Sequence, residues 1–342
     1  MDTRIRPSLS LALLLAVLVV CGCGTPPRQV VIYTSVDQSY AEQVLRDFET
    51  RSGIRVLAVY DVEATKTVGL AQRLLAERER PQADVFWNGE FLRTIYLKEQ
   101  GVLARADFTG AGLPPDYLDP AGYWAAFGGR GRVILINTAR VAPAAAPTSL
   151  FDPGADRYLP TDVGLASPLF GTAATEAAAV HALLGADAAH TFYAQVAQRG
   201  VQVLDGNSVV RDRVVDGQLA WGITDTDDAC GAIMRGAPVD VVFPDQAPDQ
   251  IGTLIIPNTL ALVAGSPHPR EAQQLANYLL SAETEARLVG IGWVHFPARP
   301  LPAGVAPACF ADVKVRRMDV AFEAIYQQLN GTQRSLEALF IR

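Results

Sequence analysis

The sequence predicts an α/β protein that is divided into two lobes. Its 342 residues exceed the roughly 100–200 that one domain usually holds. Short apolar runs alternate with stretches whose apolar residues recur at helical spacing, which is the pattern of parallel βαβ units. The alternation stops over residues 104–130 and restarts further along the chain, so we expect two such units.

The first unit begins with a strand at 30–34. A helix follows that starts at a capping box formed by Ser39 and Glu42 and ends at Gly53. Strands at 54–60 and 83–87 and helices around 70–75 and over 91–100 continue the pattern. Residues 104–130 are rich in Gly, Pro and aromatic residues, and the glycines at 128, 129 and 131 are typical of a hinge or turn.

The second unit repeats the alternation. Its predicted strands are 132–137, 201–204, 219–223 and 239–243, and its predicted helices are 173–184, 209–215 and 229–235. Residues 254–263 read as two paired extended segments around Pro257, and helices at 270–289 and 318–338 close the chain. We assign 30–130 and 250–300 to lobe 1, 131–249 to lobe 2, and 301–342 to a C-terminal helical segment that packs on lobe 2, with a hinge between the lobes.

The N-terminus has the parts of an export signal. Arg4 and Arg6 precede an apolar stretch at 8–20 that is too short to span a bilayer alone. Residues 20–23 resemble a bacterial lipobox, with Cys23 in the frame of the acylated cysteine. We expect a signal peptide at 1–22, lipidation of Cys23 and a tether at 23–29, which anchor an exported protein to the membrane on the periplasmic or cell-surface side. A plain cleaved signal peptide is the alternative.

Charge and cysteine content narrow the class of partner. The net charge is −7 and no basic run occurs, so we expect no nucleic-acid partner. After export, Cys230 and Cys309 would be an even pair in an oxidising compartment. A disulfide and two buried free thiols are equally compatible with the sequence.

Catalytic motifs are absent from the sequence. It contains no Walker A loop, His-Glu-x-x-His, Gly-x-Ser-x-Gly or Cys-x-x-Cys, and its four histidines lack the spacing of metal ligands. We therefore expect a protein that is not an enzyme and needs no cofactor. An exported enzyme built from distant residues is the least favoured alternative.

Polar segments follow the predicted strands of lobe 1, at the edge where open α/β sheets bind ligands. Each segment also precedes a helix that its side chains could simply cap. The candidate ligand-binding residues are Tyr33, Thr34, Ser35 and Asp37 in the first segment, Glu63 and Thr65 in the second, and Trp87, Asn88 and Glu90 in the third.

Lobe 2 offers polar helix starts that suit an anion and three aspartates that suit a cation. Aspartates this close raise one another's pKa unless something positive neutralises them, so they indicate a cationic ligand or a metal. The candidate ligand-binding residues are Thr172, Thr175, Asn207, Ser208, Asp225 and Thr226, and the candidate metal ligands of both lobes are Asp37, Glu90, Asp227 and Asp228.

In their order and spacing, several segments resemble the ferric-ion-binding class of type II periplasmic solute-binding proteins, which serve ABC importers. The matching segments are VIYTS at 31–35, FETRSGIRV at 48–56, ADVFW at 83–87, GVL at 101–103, GQLAWGITD at 217–225 and FP at 296–297. The resemblance covers nearly all of the mature chain. It implies a monomer with two lobes that close on a small ligand, and a permease partner in the inner membrane.

The resemblance also implies ligands, and the chain departs from them. Iron-binding members typically use a His or similar ligand in the first loop, a Glu after the ADVF-like strand and two adjacent tyrosines. Here the first loop offers Asp37, the Glu position is near Glu90, and Asp227 and Asp228 stand where the tyrosines belong. The family's accompanying anion would bind near 171–173 and 207–208.

Two ligand hypotheses remain. In the first, the lobes close on an iron-like metal ion, with or without an anion, and the four candidate acids bind it as the transported ligand. In the second, the ligand is a small organic cation or zwitterion such as an aminophosphonate. The acids would then hold its ammonium group, the helix starts of lobe 2 its phosphonate, and Trp87 would pack on it.

Overall fold

The computed structural model describes residues 28–61, 67–311 and 313–341. Within them the chain forms ten strands and ten α-helices. The strands are β1 (Gln29–Thr34), β2 (Arg55–Tyr60), β3 (Val85–Asn88), β4 (Leu103–Ala104), β5 (Ala125–Asn137), β6 (Val163–Ala166), β7 (Gln202–Leu204), β8 (Trp221–Asp225), β9 (Val239–Val242) and β10 (Ile255–Val263). The helices are α1 (Gln38–Ser52), α2 (Val68–Ala76), α3 (Leu92–Glu99), α4 (Gly171–Leu184), α5 (Ala186–Arg199), α6 (Asn207–Val215), α7 (Thr226–Met234), α8 (Pro269–Leu279), α9 (Ala282–Gly290) and α10 (Phe322–Phe340).

The strands form two half-sheets that share β5. The order is β2-β1-β3-β10-β5-β8-β6-β7, with β4 on β10 and β9 on β5. β1 is parallel to β2 and β3, and β6 is parallel to β7 and β8. The first part of β5 pairs with β10, and the second part pairs with β8 and β9. We call the half with β1–β4 and β10 lobe 1 and the half with β6–β9 lobe 2, so the predicted two-lobed α/β fold is confirmed.

The glycines at 128, 129 and 131 do not form the predicted turn. They lie inside β5, where the strand passes between the lobes. A Cβ atom on Gly131 would lie 2.9 Å from the ring of Phe296, and one on Gly128 would lie 2.7 Å from Val294. Glycine is therefore needed here for close approach of the backbone to lobe 1 side chains.

Two C-terminal predictions also differ from the structure. Residues 255–263 form one strand with a register shift between Pro257 and Asn258, not two paired segments. The helix predicted over 270–289 is two helices, because Ser281 caps α9 by accepting a hydrogen bond from the N–H of Thr284. Strand β6 and helix α5 were not predicted.

Each lobe has an apolar core. Trp87, Phe127 and Leu275 are buried together in lobe 1, and Val163 and Trp221 are buried in lobe 2. Full burial of such a side chain contributes about 1.5–3 kcal/mol. The cores hold the strand ends rigidly, and those ends carry the polar side chains described below.

The C-terminal helix contacts both lobes. α10 packs mainly on α4 and α5 of lobe 2 and buries Ile325, Leu329 and Leu336. It also reaches lobe 1, where the ring of Phe322 stacks on Phe91 at 4.4 Å between centroids. The predicted packing on lobe 2 is thus accompanied by contacts with α3.

Cys230 of α7 forms a disulfide with Cys309 in the segment between α9 and α10. The sequence had left this pairing open. Over the described ranges, none of the helices has the length and apolar character that a membrane crossing requires. The predicted signal peptide and the lipidated Cys23 lie outside the described residues.

Candidate ligand-binding cleft

A cleft lies between the lobes, at the carboxyl ends of the strands. About 450 Å³ of its space is free of protein atoms, a figure that includes the open solvent at its mouth. Parallel strands of both lobes end here, as expected for ligand sites of open α/β sheets. Its lining residues are Ser35, Thr67, Gly89, Arg130, Ala166, Ser167, Phe170, Gly171, Thr172, Asp205, Gly206, Asn207, Asp225, Asp227 and Asp228.

Lobe 1 presents a neutral face to the cleft. The hydroxyl of Ser35 donates to Oδ1 of Asn88 at 2.5 Å and accepts from the N–H of Gly89 at 2.9 Å. Asn88 is fully buried and lies behind Ser35 rather than in the cleft. These bonds fix the loops after β1 and β3 against each other.

Glu90 caps a helix and does not face the cleft. Its carboxylate accepts from the backbone N–H groups of Leu92 and Arg93 at the start of α3, and from Asn88 at 2.8 Å. Burial raises the pKa of Glu90 above its usual value, although these donors oppose the shift. The hydroxyl of Thr175 in lobe 2 donates to it at 3.3 Å, so the two lobes are in contact here.

Lobe 2 presents a charged face that is organised around Asp225. Its carboxylate pairs with Arg132 at 2.7 Å and with Arg130 at 3.4 Å. Thr172 donates to it at 2.6 Å and Asn207 at 3.1 Å. Burial alone would raise the pKa of Asp225, but the two guanidinium groups outweigh it and hold that pKa below its usual value.

Arg132 binds two carboxylates at once. Besides Asp225, it pairs with Glu176 of α4 at 2.9 Å and donates to Oδ1 of Asn207 at 2.9 Å. The guanidinium is almost fully buried, so each of these partners is needed to offset its lost hydration. The network joins β5 to the starts of α4, α6 and α7.

Arg130 lies between the lobes. It donates to the carbonyl oxygen of Gly89 in lobe 1 at 2.7 Å, and its guanidinium is 3.4 Å from the carboxylate of Asp227 in lobe 2. The guanidinium also lies over the ring of Trp293, 4.2 Å from its centroid. Arg130 therefore neutralises lobe 2 aspartates while it contacts lobe 1.

Asp228 is the most perturbed acid of the cleft. It pairs with Arg211 at 2.8 Å and accepts from the hydroxyl of Thr224 at 3.1 Å. Burial and then the charge of Asp227 nevertheless raise its pKa well above the usual value, and Arg211 only partly opposes them. Arg211 is shared with Asp212, which weakens its effect on Asp228.

The chain itself neutralises the acids of lobe 2. Four carboxylates, those of Glu176, Asp225, Asp227 and Asp228, meet the three guanidinium groups of Arg130, Arg132 and Arg211. The three arginines therefore offset most of the charge of these four carboxylates.

This balance corrects the predicted metal site. In the described part of the chain, no three His, Cys, Asp or Glu side chains are grouped so that they could hold a metal ion. Glu90 is occupied with capping α3, and Asp227 and Asp228 are paired with arginines. Asp37 precedes α1 and does not line the cleft. The structure thus does not assemble these four acids as a metal site.

The starts of α4 and α6 point into the cleft without side-chain caps. The residues before them, Phe170 and Gly206, provide no side-chain cap. The first N–H groups of a helix lack acceptors within it and carry a partial positive charge. Gly171 and Asn207 begin these helices and line the cleft, next to Ser167. This arrangement favours an anionic group.

The predicted ligand residues divide into three groups. Ser35, Thr172, Asn207 and Asp225 line the cleft as predicted. A second group supports the cleft from behind; it consists of Thr34, Asn88, Glu90, Thr175 and Thr226, with Ser208 in the first turn of α6. Glu63 and Thr65 lie outside the described residues.

Tyr33 and Trp87 form the third group and are core residues, contrary to the prediction. The hydroxyl of Tyr33 donates to Glu77 at 3.0 Å, and burial together with this acid raises the pKa of Tyr33 to about 12. Trp87 is fully buried and packs on Phe127 with 6.2 Å between ring centroids. Both residues lie within strands whose side chains enter the lobe 1 core, so neither can touch a ligand.

The sequence analysis missed the arginines. Arg130 and Arg132 were passed over because the glycines around them indicated a turn. The sequence contains a signal for this network. Two arginines in a strand that continues as an apolar run must find buried counter-charges, and three aspartates follow another apolar strand. Pairing these two patterns would have predicted the network.

The fold and the cleft define a two-lobed protein that holds a small ligand between its lobes. The chain belongs to the family of bacterial extracellular solute-binding proteins, whose model matches residues 43–301. It is accordingly a solute-binding protein of the kind that serves ABC importers, and it acts outside the cytoplasm.

Solved structures with this fold bind different ligands. The ferric binding protein from Campylobacter jejuni has 18% identity and a TM-score of 0.80, over 92% of this chain and 100% of that one. Iron-bound HitA from Pseudomonas aeruginosa has 20% identity and a TM-score of 0.77, over 91% and 99%. The periplasmic binding protein AfuA from Actinobacillus pleuropneumoniae, with exogenous fructose-6-phosphate bound, has 20% identity and a TM-score of 0.79, over 92% and 99%. At such identities the likeness establishes the fold alone. No match was found among the curated proteins.

Proposed function

We propose that this protein captures a small organic phosphate or phosphonate that also carries an ammonium or hydroxyl group, and delivers it to an ABC permease. One observation carries the proposal: two helix starts, whose preceding residues supply no side-chain cap, line a cleft whose aspartates are already paired with arginines. The proposal corresponds to the zwitterion hypothesis and not to the metal hypothesis.

The anionic group would bind at the starts of α4 and α6. Backbone N–H groups from two helices converge there, and the hydroxyl of Ser167 lies beside them. Arg130 lines the same cleft and adds a guanidinium group, which suits tetrahedral oxyanions. The proposed anion site is supported by the hydrogen-bond donors and the positive charge on the part of lobe 2 that faces lobe 1.

The other end of the ligand would meet acceptors. Asp228 and the exposed Asp205 line the cleft. Because the pKa of Asp228 is raised, the protonation of its carboxyl can change with the group that binds next to it. An ammonium group would stabilise its ionised form, and a hydroxyl group could bond to either form. Both possibilities fit an aminophosphonate or a phosphorylated polyol.

The competing ligand is an iron-like metal ion with or without an anion. A metal bound by Asp227 and Asp228 would have to displace Arg130 and Arg211. Arg130 would keep Asp225 and Arg211 would keep Asp212, but each guanidinium would lose one carboxylate partner, and the metal would have to offset that cost. The ferric-binding structures share the fold of this chain, but their ligands do not establish what this chain binds.

A ligand panel separates these possibilities. Protein freed of bound ligand by unfolding and refolding would be tested by calorimetric and thermal-shift titration with 2-aminoethylphosphonate, hexose phosphates, inorganic phosphate and ferric citrate. An organophosphorus ligand at 100 times its Kd should stabilise the fold by about 2.7 kcal/mol. Stabilisation by ferric ion that a chelator reverses, without any response to phosphorus compounds, would refute the proposal.

A single substitution gives a sharper test. Asn207→Asp places a carboxylate at the proposed anion seat while keeping the size of the side chain. Repulsion should weaken organophosphorus binding at least tenfold, about 1.4 kcal/mol. The variant should be less stable, because the new carboxylate replaces an amide that donates to Asp225 at 3.1 Å, but Arg132 at 2.9 Å and the first turn of the helix favour the acid, so its folding is checked by thermal unfolding without ligand.

The matched control is Asn277→Asp on the exposed side of α8. It makes the same chemical change far from the cleft and should leave binding unchanged. Under the metal hypothesis, Asn207→Asp would instead preserve or strengthen binding, because it adds a carboxylate near a cation.

We further propose that Cys23 is lipidated and holds the mature protein on the membrane. The support is the lipobox-like spacing in the sequence. In cell fractionation, the native chain should partition with membranes and Cys23→Ser should not. Equal partitioning of both would contradict the anchor.

A further inference from the structure

The Cys230–Cys309 disulfide attaches to the helix that carries two of the cleft aspartates. Cys230 lies in α7, whose first turn contains Asp227 and Asp228. It is buried with 1% exposure. α7 belongs to lobe 2, since it follows β8 directly and packs on α6.

The chain that leads to Cys309 is held by lobe 1. Arg299 donates to the carboxylate of Glu285 at 2.7 Å and to the carbonyl oxygen of Leu280 at 2.8 Å, both in lobe 1. Leu301 and Val305 pack against the lobe 1 core. The segment is therefore fixed to lobe 1 up to four residues before the disulfide.

Beyond the disulfide, the chain contacts lobe 2. Phe310 packs edge-on against Phe243, with 5.5 Å between ring centroids. On the lobe 1 side, a Cβ atom on Gly292 would lie 3.4 Å from the sulfur of Cys230 and 3.5 Å from Ala308. The disulfide thus lies at the boundary between the lobes, where this segment crosses.

We propose that the disulfide is a covalent tether that limits how far α7 can move away from lobe 1 when the cleft opens. Only three residues lie between Val305 and Cys309, so the two Cα atoms, four positions apart, can be at most about 14 Å from each other. Pro307 is one of these three residues and restricts the segment further. Domain closure of this kind is a rotation about a few connecting residues. A short covalent link near those residues limits the angle through which the lobes can rotate.

The tether acts at one end of the cleft. The cleft can still open by rotation about the crossing of β5, but the end next to α7 must stay near lobe 1. Without the disulfide, only non-covalent contacts would restrain that end. The unliganded protein should then sample wider openings, with no change in the contacts that bind the ligand.

Small-angle X-ray scattering of the unliganded protein tests this. A compact chain of this length has a radius of gyration of roughly 20 Å, and we expect Cys230→Ser/Cys309→Ser to exceed the native value by about 1 Å. Native protein reduced with a phosphine, which converts the disulfide to two thiols, should show the same increase.

The control is Leu336→Ala, which removes a fully buried side chain of α10. It should lower thermal stability as loss of the disulfide does, but leave the radius of gyration unchanged. An unchanged radius in both the double variant and the reduced protein would overturn the proposal. Loss of the folded state in both would overturn it too, since the bond would then hold the fold and not the opening.

Discussion

Two buried acids, one in each lobe beside the cleft, are held in opposite ways. In lobe 1, Glu90 lies behind the cleft and is held by uncharged donors, and burial raises its pKa. On the lobe 2 face, Asp225 is held by two guanidinium groups that lower its pKa against the effect of burial. A carboxylate in a cleft therefore does not by itself attract a cation. The charges that the chain already places around it decide what it can bind.

The largest expected effect comes from removing the centre of the charged face. Arg132→Gln removes the guanidinium that pairs with Glu176 and leaves Asp225 with only the more distant Arg130, at 3.4 Å. Breaking a buried pair in this way costs about 3–5 kcal/mol, so we expect that loss in urea unfolding. Arg140→Gln is the control, because it breaks an ion pair with Asp162 that is about one-third exposed and should cost at most about 1 kcal/mol. Equal losses would show that the buried network is no stronger than a surface pair.

The stability of the fold should be less sensitive to the loss of charge at Glu90 in lobe 1. Glu90→Gln keeps one acceptor oxygen but turns an amide towards N–H donors at the start of α3. Leaving such groups unsatisfied costs about 1–3 kcal/mol, which should appear in the same unfolding assay. Glu79→Gln changes an acid that is almost fully exposed and should have no measurable effect. A loss as large as that of Arg132→Gln would remove the distinction between the faces.

Two acids of the lobe 2 face, Asp228 and Asp225, respond to pH in opposite senses. The raised pKa of Asp228 means that the folded protein holds this proton more tightly than the unfolded chain. Its contribution to the free energy of unfolding therefore falls as pH rises above about 3.9, the usual value for aspartate. Asp225 acts in the opposite sense, because its lowered pKa makes stability fall as pH falls.

Asp228→Asn should reduce the first of these slopes by on the order of 1 kcal/mol over one pH unit, measured by urea unfolding at a series of pH values. Part of the slope remains, since the raised pKa of Glu90 has the same sign. Asp249→Asn is the matched control: it makes the same change at an exposed acid that does not line the cleft, and it should leave the slope intact. An unchanged slope in Asp228→Asn would contradict the assigned pKa direction.

The smallest expected loss of stability is at the surface contact between α10 and α3 of lobe 1. Tyr326 donates to Glu99 at 2.6 Å on the surface. Tyr326→Phe removes this bond and should cost about 0.5–1.5 kcal/mol, read as a small fall in Tm. Tyr96→Phe serves as a comparison, being an aromatic of the same type on α3. A loss of several kcal/mol would mean that α10 holds the lobes together through this one bond.

Sequence reasoning recovered the lobes and most cleft loops, since both follow from local patterns. The apolar strands and capped helices specify βα units, and the residues after them must lie at one edge of the sheet. Ser35, Thr172, Asn207 and Asp225 were found in this way. Tyr33 and Trp87 were misplaced because a strand's last residues can point either into the core or out of it, and the pattern does not say which.

The charge state of the cleft could not be derived in the same way. Arg132 meets Glu176 and Asp225 across 44 and 93 residues of sequence. Such pairs depend on how β5 crosses between the lobes, and the sequence alone had indicated a turn at that point. The sequence analysis identified the three aspartates as candidate site residues. It did not identify the arginines of β5 and α6 that pair with them, because these lie in other segments of the chain.

The central claim is that the cleft selects an organic anion with phosphorus rather than a metal ion. Ligand-stripped protein would be dialysed against an equal mixture of 2-aminoethylphosphonate, hexose phosphates and ferric citrate, and bound phosphorus and iron would be measured by elemental analysis. The account predicts close to one phosphorus atom per chain, little iron, and loss of the phosphorus in Asn207→Asp. One iron atom per chain without phosphorus would contradict it.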